Sequence, residues 1–129
     1  MTIIPVQTPN APAAIGPYSQ GIVSDPFVFV SGQLGLMPAT GDLSGPDITA
    51  QAPQALENLK QILLAAGSDL NHVLSVDVYL TNMGNFAIFN GIYQQFFSDH
   101  RPARAVVEVS ALPKGGCVEI KCVAVVKPG

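Results

Sequence analysis

A chain of 129 residues with 48% hydrophobic and only 12% charged side chains is long enough for one domain with a real core, and too apolar to be disordered. Its net charge is −3, and its six cations (Lys60, Arg101, Arg104, Lys114, Lys121 and Lys127) form no run. This excludes the basic stripe with which nucleic-acid binders displace phosphate counterions, and the basic helix that lies on membrane surfaces. No apolar run approaches the ~20 residues that span a bilayer. Met1 to Gln7 has neither the basic nor the long apolar region of a secretory signal. Cys117 and Cys122 lie in what reads as one strand, an odd number of residues apart, so they point to opposite faces and cannot pair. His72 and His100 have no ligand-like spacing. The expectation is a cytoplasmic chain without metal or disulfide.

In chain order, Ile3 to Gln7 reads as a short edge strand, and Asn10 to Pro17 as an irregular loop leading into Tyr18-Ser-Gln-Gly21. Ile22 to Ser24 and Phe27 to Gln33 read as strands around an Asp25-Pro26 turn. Ala52, Ala55, Leu56, Leu59, Ile62, Leu63 and Ala66 follow the spacing of one buried helix face, predicting a helix over Thr49 to Ala66 stopped by Gly67. Pro53 is tolerated in a first turn only, so the start is expected to slip later than Thr49. Val73 to Leu80 is a β-branched strand. Asn82 or Asn85 then caps a second helix to about Asp99, with Phe86, Phe89, Tyr93, Phe96 and Phe97 on its apolar face. Ala103 to Ala111 and Val118 to Val126 are the last strands, most simply a hairpin. The order β-β-β-α-β-α-β-β gives an α+β domain over residues 1–129 with both helices on one sheet face. With so little charge to solvate it, the other face is expected to be buried against another chain.

Few residues offer chemistry. Alternation puts Arg104, Val106 and Glu108 on one face of their strand. Arg104 is there either as part of a solvated ion pair or as a planar fork for a carboxylate. Glu119 alternates with core-like Val118 and Ile120, as a charge on the wet face near Lys121 or as a general acid/base or water-orienting carboxylate. Asn90 falls in the aromatic stripe of the second helix, where an amide needs a partner, backbone or ligand. Tyr18 follows Gly-Pro at a loop end, placed to pack or to reach a site. In Ser31-Gly32-Gln33, Gly32 permits close backbone approach. No Ser-His-Asp pattern, phosphate loop or His/Cys metal cluster is present.

Several stretches together resemble the Rid family (YjgF-type proteins). They are Asn10-Ala-Pro-Ala-Ala-Ile-Gly-Pro-Tyr-Ser-Gln20, Val30-Ser-Gly-Gln33, Asn85-Phe-Ala-Ile-Phe-Asn90 with Tyr93 and Phe96-Phe97, and Pro102-Ala-Arg-Ala-Val-Val-Glu-Val109. Leu112-Pro-Lys114 and Val118-Glu-Ile120 complete a match from Asn10 to Val126. The resemblance implies a chorismate-mutase-like fold and a homotrimer with clefts between subunits. The implied activity is hydrolysis, without a cofactor, of 2-imino acids such as 2-iminobutanoate and 2-iminopropanoate, and of their enamine tautomers, to 2-keto acids and ammonia. It assigns carboxylate binding to Arg104 and water positioning to Glu119. Tyr18, Asn90, Ser31 and Gly32 fall on further site positions. RidA-like members often carry a cysteine where Val106 stands, so a thiol role is lost here while a backbone contact survives. The segment between Phe97 and Pro102 is also about three residues shorter than in the archetype.

Two other readings compete with hydrolysis: a ribonuclease or translation inhibitor, a label some members carry, and a non-catalytic trimer that senses carboxylate metabolites. The charge census opposes the first. The second uses the same arginine, so only turnover separates it from an enzyme. On a hairpin register centred near Lys114, Arg104 and Glu119 of one chain lie about five residues apart along the ladder, ~17 Å at ~3.4 Å per residue. One small substrate cannot bridge that gap, so each cleft is expected to pair Arg104 of one subunit with Glu119 of its neighbour.

Overall fold

The computed structural model describes residues 2–129. Six strands make one sheet: β1 (Ile4–Val6), β2 (Gly21–Ser24), β3 (Phe27–Leu34), β4 (Val73–Leu80), β5 (Ala103–Glu108) and β6 (Val118–Val125), in the order β1-β2-β3-β6-β4-β5. Only β4 and β5 run parallel, so the sheet is mixed. Two helices, α1 (Ile48–Ala65) and α2 (Phe86–Phe96), pack side by side on one face. The architecture is the α+β arrangement expected.

The helix spacing read from α1 is realised. Ala52, Ala55, Leu56, Leu59, Ile62 and Leu63 are fully buried, each larger side chain contributing about 1.5–3 kcal/mol by leaving water. Its start is one residue earlier than Thr49, not later. The Asp47 side chain accepts from the Ala50 amide at 3.2 Å and fixes the first turn. Pro53 then lies inside the helix, and the carbonyl it leaves unpaired belongs to exposed Thr49, where water can take the bond. Gly67, at φ +80°, adopts the left-handed conformation that ends the helix. The second helix stops at Phe96, short of Asp99. Pro102 disfavours helix at Arg101, and His100 donates from Nε2 to the Val73 carbonyl at 2.6 Å, drawing the chain to the sheet.

The expected hairpin does not form. Leaving β5 at Glu108 rather than Ala111, the chain passes over the end of β4, where Val109 N bonds Leu80 O and Thr81 N bonds Cys117 O, and enters β6 on the far side. Burial explains the choice. Val118, Ile120, Cys122 and Ala124 of β6 are buried beneath the helices and need a neighbour on each side. Largely exposed β5 suits an edge, joined to β4 through α2 as parallel neighbours usually are. The helix-free face carries Phe27, Phe29 and Val107, 43%, 46% and 45% exposed. Three large apolar side chains thus stand in water on this face.

Candidate active site

Arg104 and Glu119 leave the same sheet from opposite faces. Across the ladder Arg104 pairs with Val76, and Val76 with Cys122, both buried on the helix side, so Arg104 points toward the helices. Glu119 alternates with buried Val118 and Ile120 and points to the helix-free side. The two residues are two strands and three residues apart, about 10 Å in each direction. This geometry replaces the hairpin arithmetic and makes the separation stricter, because the sheet itself stands between the side chains.

Around Arg104 is a cavity of about 390 Å³ lined by Asn90, Tyr93, Gln94, Phe97, Arg101 and Arg104 with Pro102. Arg104 forms no ion pair among the described residues, and Glu108, the acid on its own strand face, instead accepts from Met83 N at 2.8 Å. Arg104 Nη1 donates to Asn90 Oδ1 at 2.7 Å. The guanidinium carbon lies 4.7 Å from the ring centre of Tyr93 and 5.7 Å from that of Phe86, within cation–π range. One amide and two rings orient the fork, and its other N–H groups remain for a ligand. Asn90 thus takes neither expected partner directly; it holds the arginine. Burial pushes the Tyr93 hydroxyl up to about 12, with Arg104 opposing, so it stays neutral. This hydroxyl is the one buried side-chain polar atom without a partner among the described residues. Val106 shares the face of Arg104, half-buried against the core.

On the other side, Tyr18, Ser31, Gly32, Lys114 and Glu119 line a cavity of about 580 Å³. A β-bulge builds it. Between Val30 and Gln33, β3 has one residue more than β6, so Ser31 and Gly32 lie across from Lys121, with Gly32 against the Glu119 side chain. A Cβ at Gly32 would stand 2.9 Å from Glu119 Cδ, so only glycine leaves the carboxylate its place. Ser31 Oγ donates to Ser19 O at 2.6 Å and Ser31 N to Gln20 O at 3.0 Å, tying the Tyr18 loop to β3. Among the described residues Glu119 pairs with no cation, Lys121 included, and burial raises its pKa above the ordinary 4.5. A half-buried carboxylate with a raised pKa is a stronger base than an ordinary one, which suits proton transfer.

The residues singled out from the sequence therefore fall into two clusters: Asn90, Arg104 and Val106 on the helix side, and Tyr18, Ser31, Gly32 and Glu119 on the other. Sequence reasoning missed three contributors. Lys114 adopts a left-handed φ of 59° and donates to Gly41 O at 2.8 Å on the rim of the Glu119 cavity. Gln20 is buried and donates to the Thr8, Ala11 and Pro12 carbonyls, fixing the loop that walls this cavity. Arg101 is the second guanidinium of the Arg104 cavity. The signals were there: Lys114 before Gly-Gly, Gln20 closing a loop rich in proline, and two arginines flanking Pro102-Ala103. A larger groove of about 830 Å³ under the N-terminal loop shares Tyr18 and Gln20 but has no charged lining. No cluster of three or more His, Cys, Asp or Glu able to hold a metal occurs among the described residues.

Known proteins share the fold that carries these clusters. The family model described as Endoribonuclease L-PSP matches residues 8–126. A goat (Capra hircus) protein named 2-iminobutanoate/2-iminopropanoate deaminase is 46% identical over 123 residues, covering 95% of this chain and 90% of that protein. A crystal structure of a putative endoribonuclease from Thermotoga maritima superposes with a TM-score of 0.93 at 45% identity, covering 98% of each chain. E. coli TdcF with bound serine superposes with a TM-score of 0.91 at 39% identity, covering 96% of this chain and 99% of that one. With the two clusters carried on the fold these proteins share, the chain belongs to the Rid (YjgF-type) family, the family of the Endoribonuclease L-PSP model.

Proposed function

We propose that this protein is a 2-iminobutanoate/2-iminopropanoate deaminase, hydrolysing small 2-imino acids and their enamine tautomers in clefts between the subunits of a homotrimer. The observation that carries the reading is the division of the site: an oriented, unpaired guanidinium on one sheet face and an unpaired, half-buried carboxylate on the other. Each is half of what an anionic electrophile needs, and a second chain seated on the apolar face brings one to the other. The goat relative, at 46% identity, supports the choice of substrate.

In the cleft, Arg104 holds the substrate carboxylate with two parallel hydrogen bonds while Asn90 and the Tyr93 ring fix the fork. Glu119 of the neighbouring subunit takes a proton from water as its oxygen bonds to C2 of the imine. That proton passes to the imine nitrogen to give a carbinolamine, whose hydroxyl proton then moves to the same nitrogen as the C–N bond breaks and the carbonyl forms, so imine and water give keto acid and ammonia. An enamine first accepts a proton at its terminal carbon, which a protonated Glu119 can deliver. Tyr18, in the Glu119 cavity, assists the Glu119 carboxylate in the proton relay through its hydroxyl. Positioning water against a held electrophile supplies most of the acceleration.

The test couples a threonine dehydratase to a scavenger of free imine, with and without this protein. Faster release of keto acid and ammonia supports the enzyme. Unchanged release, with a carboxylate still bound at Arg104, favours a sensor, the reading that serine bound to TdcF makes worth testing. A ribonuclease reading fits poorly with six cations, two of them in one small cavity. It would require RNA affinity that falls steeply with salt.

A further inference from the structure

Arg104 does not stand alone in its cavity. The connection from α2 to β5 is six residues long, and it brings Arg101 into the same lining. Two of the chain's six cations thus share about 390 Å³, beside the amides of Asn90 and Gln94 and the rings of Tyr93 and Phe97, and no carboxylate lines that space. Arg101 is exposed and forms no side-chain hydrogen bond or ion pair among the described residues. In a chain of net charge −3, two uncompensated guanidinium groups in one cavity make a local field for anions that a single carboxylate does not neutralise. Three residues of chain separate the two Cα atoms by at most ~10–11 Å, and Pro102 between them stiffens the spacing. The held fork of Arg104 and the flexible arm of Arg101, rooted that far apart, can close on both ends of a four- or five-carbon diacid.

We propose that Arg101 is a specificity-determining residue that extends the substrate range to 2-imino dicarboxylic acids, with Arg104 on the C1 carboxylate and Arg101 on the distal one. The inference rests on the reading of Arg104 as the carboxylate anchor. The reaction is the same hydrolysis: water oxygen bonds to C2, ammonia departs, and nothing is oxidised or reduced. A monoacid imine leaves Arg101 facing solvent, whereas a diacid occupies both forks, so the selectivity comes from contacts to a part of the substrate remote from the reacting carbon.

The experiment measures the ratio of kcat/KM for the imine of aspartate to that for the imine of alanine, each generated in place by an amino-acid oxidase. The parent is compared with Arg101→Gln and Arg101→Lys. A parallel titration follows binding of stable succinate and butyrate to the same proteins, which needs no turnover. The ratio is expected to fall fivefold or more in Arg101→Gln, with partial recovery in Arg101→Lys, and the succinate preference to fall with it. A ratio and a binding preference that both stay within fivefold of the parent's overturn the inference while hydrolysis of the alanine imine stands. If no imine is hydrolysed, the deaminase reading fails and the binding preference alone decides the role of Arg101.

Discussion

At the residue scale, Arg104 differs from a surface arginine in what holds it: an amide on one edge and two aromatic faces beneath. Lysine keeps the charge but can neither stack as a plane nor offer two parallel donors. Arg104→Lys is therefore expected to lose roughly 2–4 kcal/mol of transition-state binding, read as kcat/KM, with the fold intact; near-parental kcat/KM would remove the anchoring role. Glu119 gives a prediction in pH. Burial raises its pKa, so protonation removes the base at a higher pH than for an ordinary carboxylate. As pH falls, kcat/KM should decline from above the usual carboxylate range, and Glu119→Gln should abolish that limb along with most of the activity. Alternation set the faces of Arg104 and Glu119 but left their roles open, and only the resemblance to the Rid family assigned those roles; Gly32 was legible as a point of close approach. The Asn90–Arg104 bond was not, because it depends on which strand lies beneath α2.

Elements were easier to find than their partners. Helical spacing located α1 to within a residue or so, since a buried apolar face dictates its period. The pairing of β5 was misread because nearness in sequence favours a hairpin, whereas burial of alternate β6 residues requires a central position. A strand, a short helix and a strand with brief links was the signal for parallel pairing of β4 and β5. The buried amides of α1 were also invisible. Asn58, fully buried, donates to the Leu34 and Leu36 carbonyls at 3.1 and 2.8 Å. It thereby fixes the chain leaving β3, part of the wall of the Glu119 cavity. Asn58→Ala takes this donor from two part-buried carbonyls, and chemical denaturation should show a loss of about 1–3 kcal/mol. An unchanged unfolding midpoint would mean that water replaces the amide.

For the whole molecule, low charge and a sheet face without helices argue for self-association, and Phe27, Phe29 and Val107 are the side chains that such an interface would cover. Light scattering at micromolar concentration should return three times the 13.5 kDa chain mass, and a monomer would remove the shared cleft. The most direct test of that cleft mixes inactive Arg104→Ala with inactive Glu119→Gln under conditions that allow subunits to exchange. On the proposed division, each cleft draws its arginine from one chain and its glutamate from the next, so random assembly of equal amounts restores about one cleft in four. Activity should rise from background to about a quarter of the parent's as mixed trimers form. Mixed trimers that form but stay at the background of the two parents would contradict the division of the site between subunits.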